Sequence, residues 1–331
     1  MAFARWSFCL CLGMQVMNPS ALFAQNRSED NVKASVFYSE ETAHNSRRSD
    51  FTRPVLSLFL PGFDQFISRQ FTDFSIYAAA GISSLVLSAQ YNQVISEYER
   101  SEEFSILSSD EQQNILTHDD RYRRLRLASQ LYLVAGSLSA YQSFRMSALA
   151  RQQIGEYLFL ETEDSVRDIL MAPFDLTYFT STKTLLPLGT LTAIVLLTHQ
   201  SEDYRADSFT RSDGAFAGAF SYNAGTSEEA LFRGWLMPYF AQQTGSLFWS
   251  NMIQSSLFAL AHTNQTSFPI FQFGLGYYLG WLTQHQGWSI KESIFIHTWW
   301  DVVAFAAEYT RKKKAFTPGQ VVWLPALRLA F

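Results

Sequence analysis

Long stretches without a charged side chain alternate with charge-rich connections along this chain. The windows without Asp, Glu, Lys or Arg are residues 74–96, 127–144, 184–201, 234–261 and 262–290. At about 1.5 Å rise per residue, a helix over each window is long enough to cross a hydrocarbon core roughly 30 Å thick. The pattern therefore predicts an all-α fold, built as a polytopic transmembrane helical bundle.

Charges between the windows predict an orientation. The connection 97–126 ends in a cluster of four arginines, whereas the connection that follows 127–149 is acidic. Arginine and lysine concentrate on the cytoplasmic side of membrane helices. We therefore expect the chain to start outside the cytoplasm and the basic run 311–314 to lie inside it. With a formal net charge of −5, the chain offers nucleic acid no general electrostatic footprint.

Residues 1–24 have the features of a secretory signal peptide. An arginine precedes an apolar run over 6–16, and residues 21–24 form an imperfect small-residue cleavage site. A retained signal anchor is the alternative interpretation. Both cysteines, Cys9 and Cys11, lie in this segment. A cleaved chain would therefore have no thiol for a cysteine nucleophile, a disulfide or a thiolate zinc site.

The chain is expected to divide near residue 213. Residues 25–213 are expected to form an N-terminal membrane segment. Within it, 26–53 show no periodicity and predict a mobile lead-in, and 54–66 are too short to span a membrane and predict an interfacial or re-entrant piece. From residue 214 the connections shorten, which predicts antiparallel helices packed as a bundle up to residue 314. Residues 315–331 are an apolar tail that we expect to lie along the membrane interface.

Within this C-terminal bundle, residues 214–225 predict a lead-in loop or half-helix. The helices expected after it are 227–243, 247–262, 270–284 and 290–309.

Ionisable side chains lie in or beside the apolar runs of this bundle, where each costs on the order of 2.5 to 3.5 kcal/mol. Glu229 and Arg233 are one helical turn apart on the same face, which predicts a charge pair. Glu228 lies about 100° round the helix and stays free for another role. Residues 226–229 also fit an N-terminal capping box, which by itself would explain Glu229.

Two histidines differ in what their positions indicate. His262 closes an apolar helix one turn after Phe258, where a histidine is often only a favourable charge at the helix end. His297 lies well inside the helix expected over 290–309, and Asp301 follows one turn later on the same face. Two ionisable groups at this spacing in an apolar helix indicate an inward-facing site.

These side chains supply the groups needed to hydrolyse an amide without a protein nucleophile. A glutamate can take a proton from water, one histidine can share that proton, and a second can stabilise the oxyanion. The sequence contains no H-E-x-x-H or G-x-S-x-G motif. Zincin and hydrolase-fold serine chemistries are therefore not the first choices.

Three ordered motifs resemble those of the CPBP family, the CAAX proteases and bacteriocin-processing enzymes that are also called Abi proteins. The motifs are E-E-x-x-x-R at Glu228, Glu229 and Arg233, F-x-x-x-H at Phe258 and His262, and H-x-x-x-N/D at His297 and Asp301. Each motif fixes only two or three positions, but their order in adjacent helices is more specific. The resemblance covers about residues 214–309.

The resemblance implies a CAAX-type intramembrane endopeptidase that acts on a membrane-associated peptide or protein. The signal segment and the basic flanks indicate that it is an integral protein of the bacterial inner membrane. In terms of the resemblance, Glu228 is the general base and His262 its partner on the water. His297 and Asp301 would line the oxyanion site. Glu229 and Arg233 would hold the architecture, with Phe258 in support.

The resemblance leaves the cofactor open between none and a divalent cation such as zinc. If a metal is bound, Glu228, His262 and His297 are the expected ligands. An ionised Asp301 would repel an oxyanion. Asp301 is therefore either protonated, or it orients His297, or it helps to bind a cation.

Two other classes of protein compete with the protease. A catalytically inactive membrane scaffold or peptide-binding protein of the same fold would need neither Glu228 nor His262, but would be disrupted by packing changes near Gly276 and Gly280. A transporter would use the buried charges as an ion path, but the sequence shows neither an inverted repeat nor paired broken helices.

Overall fold

A computed structural model describes residues 40–107, 112, 115–116, 119–162, 164–199, 210–262 and 270–309 of the 331-residue chain. All regular secondary structure within these ranges is helical, which confirms the all-α prediction. The predicted signal segment, the basic run and the apolar tail lie outside the described residues.

The N-terminal part of the described chain contains long helices joined by short helical turns. In chain order the helices are α1 (Glu40–Phe59), α2 (Phe63–Ile67), α3 (Phe71–Glu99), α4 (Glu102–Ser105), α5 (Asp120–Gln152), α6 (Val166–Met171) and α7 (Thr182–His199). Two 3₁₀ turns, Ala172–Phe174 and Leu176–Thr180, connect α6 to α7.

The existence of α1 corrects the expectation that residues 26–53 lack regular structure, at least from Glu40 onward. Its sequence has no clear helical periodicity, and tertiary contacts to α5 and the turn after it hold it in place. Asp50 is buried, pairs with Arg151, and accepts a hydrogen bond from the Tyr157 hydroxyl at 2.8 Å. A buried polar partner of this kind is invisible to periodicity.

The C-terminal part contains the helices that carry the predicted motifs. They are α8 (Arg211–Leu231), a π-helical turn (Phe232–Leu236), α9 (Met237–Thr244), α10 (Leu247–Ala261), α11 (Ile270–Gln284) and α12 (Lys291–Tyr309). The predicted break between α9 and α10 is confirmed. Gly245 ends α9 in the left-handed region at φ 64°, a conformation that glycine adopts without steric cost.

The predicted helix start near residue 226 is wrong, as is the loop or half-helix over 214–225. Thr210 caps α8 through a reciprocal capping box with Asp213. Thr226 is fully buried in mid-helix, and its hydroxyl donates to the Tyr222 carbonyl at 2.7 Å. Residues 210–213 and 226–229 both fit a capping box. The helix begins at the earlier one because the first turns of α8 bury apolar side chains such as Phe216.

A widened turn carries α8 into α9. Pro238 lies in the first turn of α9, has no N–H to donate, and in a regular α-helix its ring would clash with the carbonyl of residue 234. The π-helical turn Phe232–Leu236 precedes it and absorbs this conflict. Such turns are frequent at functional sites.

The helices α5, α8 and α12 form the centre of the fold. α5 packs against α1, α3 and α8, and α8 packs against α12. One apolar cluster joins Ala140 and Phe144 of α5 to Trp235 and Met237. The segment before residue 213 and the helices after it therefore share a core. The division of the chain at this point stays a prediction.

Gly225 permits a close approach of α8 to α12. A Cβ atom at this position would lie 3.0 Å from the backbone nitrogen of Thr298 and closer still to its hydroxyl. This approach brings the end of α8 against the middle of α12, where His297 lies.

One helix among the described residues, α3, is long and apolar enough to cross a membrane by length and composition. α7 is apolar over Thr182–Leu197 but shorter. The polytopic arrangement is not confirmed, because an uncharged window is not the same as a continuous helix. Gly245 interrupts window 234–261, and α10 and α11 have 15 residues each, where about 20 are needed to span.

Several large apolar side chains are exposed on the surface of the fold, whereas several polar side chains are buried in its interior. Ile82, Leu186 and Phe248, on three different helices, are more than half exposed. In contrast, Ser139 and Ser143 of α5 are fully buried. Contiguous exposed apolar patches mark surfaces that contact a membrane or another protein.

We predict that Gly225→Ala destabilises the protein, whereas Gly218→Ala on the same helix does not. A methyl group at 225 meets the α12 backbone and should cost about 1–3 kcal/mol through overpacking. Gly218 has open space around it, so alanine there should be neutral or stabilising by up to about 1 kcal/mol through helix propensity. Thermal unfolding of the two variants in detergent measures the difference, and equal stabilities would contradict the close approach.

Candidate active site

The three predicted motifs meet at one place in the bundle. Glu228 on α8 places Oε2 3.4 Å from Nε2 of His262, which follows α10, and 3.8 Å from Nε2 of His297 on α12. Helices distant in sequence thus supply three ionisable groups to one small volume. The structure brings these residues together, and their catalytic roles stay a prediction.

Glu229 and Arg233 form the charge pair that their spacing predicts. Nη1 of Arg233 lies 3.0 Å from Oε1 of Glu229, and both side chains are 0% exposed. Nη2 of Arg233 donates to the Gly276 carbonyl at 3.1 Å, and the guanidinium lies 4.4 Å from the centre of the Phe258 ring. Arg233 therefore ties α8 and its π-helical turn to both α10 and α11.

Glu229 has a second partner that sequence spacing did not reveal. The same Oε1 atom lies 2.8 Å from Nδ1 of His297, on a helix 68 positions later in the chain. An ionised carboxylate can only accept, so we assign the proton of this bond to Nδ1. Nε2 of His297 then faces Glu228 and the centre of the site.

Asp301 lies beside His297 as the one-turn spacing predicts, but it is not hydrogen-bonded to the ring. Its Oδ2 is 3.6 Å from Nε2 of His297, and both side chains are almost completely buried. Because Glu229 makes the short bond to Nδ1, the orientation of the His297 ring does not require Asp301.

The accessible side of the site is formed by Glu228 and His262. Their side chains are 18% and 24% exposed, respectively. Nδ1 of His262 is 2.7 Å from the Phe258 carbonyl, which directs Nε2 toward Glu228. Oε2 of Glu228 has no hydrogen-bond partner among the described residues. A carboxylate oxygen with unused acceptor capacity beside an imidazole is suited to bind water.

A buried polar face of α10 supports the site and was not singled out from the sequence. Nε2 of Gln254 donates to the Gly276 carbonyl at 3.1 Å, the same atom that Arg233 contacts. Nδ2 of Asn251 donates to the Tyr277 carbonyl at 2.9 Å. The sequence does contain a sign of this face: Asn251 and Gln254 are three positions apart, on the same side of the helix as Phe258 and His262.

The described residues contain no group of three or more His, Cys, Asp or Glu side chains arranged to hold a metal ion. Glu228, His262 and His297 are chemically suitable zinc ligands. Nδ1 of His297 is bonded to Glu229 and Nδ1 of His262 to a backbone carbonyl, which leaves the two Nε2 atoms directed at Glu228 as the positions that would hold a metal. We assign no catalytic step to a metal.

Residues 213–303 match the family model described as type II CAAX prenyl endopeptidase Rce1-like. This segment is similar to the Rce1-like CAAX proteases. It makes up about a quarter of the 331-residue chain and contains every residue of the three motifs. The match confirms the resemblance to CPBP proteases. Rce1-like family members are integral membrane proteases. Neither the curated proteins nor the solved structures contain a match to the chain.

We predict that Glu229→Gln destabilises the Rce1-like domain far more than Glu228→Gln. The first substitution leaves Arg233 buried without its charge partner, which typically costs about 3–5 kcal/mol. Glu228 is partly exposed and has no arginine partner, so the second should change stability by about 1 kcal/mol or less. Thermal unfolding compares the two isosteric variants. Similar melting temperatures would show that Glu229 is not the architectural acid.

Proposed function

We propose that this protein is a CAAX-type intramembrane endopeptidase that hydrolyses a peptide bond of a membrane-associated substrate. The observation that carries the proposal is the position of Glu228, whose partly exposed side chain places Oε2 3.4 Å from Nε2 of His262 and 3.8 Å from Nε2 of His297. The Rce1-like family match supports protease activity independently of this geometry.

In the proposed reaction Glu228 is the general base. It takes a proton from a water molecule held against Nε2 of His262, and the oxygen of that water adds to the scissile carbonyl carbon. When the tetrahedral intermediate collapses, the proton passes to the leaving nitrogen and the C–N bond breaks. The products are a carboxylic acid and an amine, and no covalent bond to the protein forms.

His297 is proposed to stabilise the oxyanion. Nδ1 is bonded to Glu229, so a protonated ring can present its second N–H to the negative oxygen through Nε2. Glu229 in turn accepts a hydrogen bond from both the imidazolium and Arg233. Asp301 lies next to Nε2 and is proposed to act in its neutral form, as a second donor to the same oxygen.

The proposed location is the bacterial inner membrane, with several helices in contact with lipid. Support comes from α3, which meets the length and composition of a membrane span, and from the large apolar side chains exposed on α3, α7 and α10. Several buried polar side chains have protein partners, as a membrane fold requires: Asn251 and Gln254 of α10, for example, donate to backbone carbonyls of α11.

We predict that Glu228→Gln abolishes peptide release without loss of folded protein, because the amide cannot accept the proton. His262→Ala should lower kcat by a factor of at least about 100. The matched control is His285→Ala. His285 also ends a helix with Nδ1 on the carbonyl four residues earlier, at 2.8 Å, but no glutamate among the described residues pairs with it.

The measurement compares peptides released from membranes that contain wild-type or variant protein, with and without a chelator and with metal content determined. Peptides that accumulate uncut in the Glu228→Gln strain identify the substrate. Unchanged cleavage by Glu228→Gln would favour the alternative, an inactive scaffold or peptide-binding protein of the same fold.

We predict that Asp301→Asn keeps most of the activity, whereas Asp301→Ala lowers kcat by roughly 100-fold, the typical effect of removing one oxyanion donor. An asparagine amide can donate to the oxyanion as a neutral aspartic acid would, but a methyl group cannot. Kinetics of the two purified variants test this. An asparagine variant as inactive as the alanine variant would assign the role to the carboxylate charge.

A further inference from the structure

The helix that carries His297 begins after an unfavourable turn. Gly287 and Trp288 both have positive φ, at 61° and 69°. For a bulky residue such as Trp288 the left-handed region is uncommon, and it persists only where surrounding contacts impose it. The indole of Trp288 is buried, with its ring centre 4.7 Å from that of Phe159. The contacts that impose this turn therefore come from a distant part of the chain.

We call residues 157–162 and 164–165 the strap, because they run along the turn before α12. The Thr162 N–H donates to the Gly287 carbonyl at 2.9 Å. The carboxylate of Asp164 accepts from the Ile290 N–H at 2.8 Å and from the Ser289 hydroxyl at 3.2 Å. Asp164 is only 4% exposed. It therefore caps α12 from 126 positions earlier in the chain.

The strap is itself fixed to α5. The Tyr141 hydroxyl donates to the backbone carbonyl of Asp164 at 2.7 Å. Nη2 of Arg145 donates to the Thr162 carbonyl at 2.6 Å. α5 also packs against α8, which carries Glu228 and Glu229. The same helix thus supports both sides of the candidate active site.

We propose that Asp164 is a positioning residue that holds the start of α12 and thereby places His297 and Asp301 against Glu228. The first N–H groups of a helix have no partner within it, and a carboxylate satisfies them well. Asp164 lies outside the segment 213–303 that matches the family model. This inference rests on the proposed function, and it assigns a task in that function to the N-terminal part of the chain.

The test compares Asp164→Ala with Asp164→Asn in the full-length membrane protein. The alanine variant should lower kcat about 10-fold or more through misplacement of His297, with KM changed less than about twofold. The asparagine variant should restore kcat, because asparagine caps helices as well as aspartate. Amide hydrogen exchange of residues 290–294 should speed up by roughly 10-fold in the alanine variant only.

Asp168→Ala is the matched control. Asp168 caps the neighbouring helix α6 through a capping box with Ser165, so its loss removes a cap without touching α12. We expect unchanged kcat and unchanged exchange over 290–294. If Asp164→Ala does not accumulate as folded protein, Ser289→Ala removes one of the two cap bonds, and Ser165→Ala is its control. Ser289→Ala should then lower kcat about two- to threefold.

Three results would overturn the proposal. The first is a wild-type kcat in Asp164→Ala, or in Ser289→Ala where that variant replaces it. The second is an equal loss of kcat in Asp168→Ala, and the third is a kcat in Asp164→Asn as low as in Asp164→Ala. Failure of the proposed function is distinguishable from these. If the wild-type protein and Glu228→Gln release the same peptides, the protease assignment fails. Hydrogen exchange over 290–294 still decides in that case whether Asp164 caps α12.

Discussion

The candidate site depends on one buried carboxylate oxygen. Oε1 of Glu229 receives Nη1 of Arg233 at 3.0 Å and Nδ1 of His297 at 2.8 Å. A buried charge is tolerated only when it is paired and hydrogen-bonded. Movement of Arg233 or His297 would therefore remove a partner from the buried Glu229 carboxylate and destabilise the fold. This oxygen thereby fixes the His297 ring and, through Arg233, the contact with α10 and α11. Glu228 takes no part in this shared contact and stays available for the proposed chemistry.

The part of the chain before residue 213 is more than an appendage to the Rce1-like domain. α5 shares an apolar cluster with Trp235 and Met237, and through the strap it supports the turn before α12. The indole N–H of Trp299, two residues after His297, donates to the Pro173 carbonyl at 3.0 Å. α8, which carries Glu228, and α12, which carries His297, therefore both contact residues outside the family-matched segment.

The distribution of polarity explains how such a site can exist in an apolar environment. Buried polar side chains of α10 hydrogen-bond to one another and to the backbone of α11. Large apolar side chains face outward on the same helix. The candidate site is therefore bordered by buried polar groups of α10 and α11, while apolar side chains face outward from α10.

Several features could be derived from the sequence because they depend on one helix only. The pairs Glu229–Arg233, Phe258–His262 and His297–Asp301 follow from spacing, since residues one turn apart share a face. The bounds of α10 and α11 follow from apolar runs closed by Gly245 and by polar turns.

The structure alone decided the rest, because it depends on contacts between helices far apart in sequence. The bond from Glu229 to His297 and the cap of Asp164 on α12 join positions 68 and 126 apart. The true start of α8 depends on which of two equivalent capping signals buries an apolar face. The local sequence pattern does not show which distant residues come into contact, because those contacts are decided by how the helices pack.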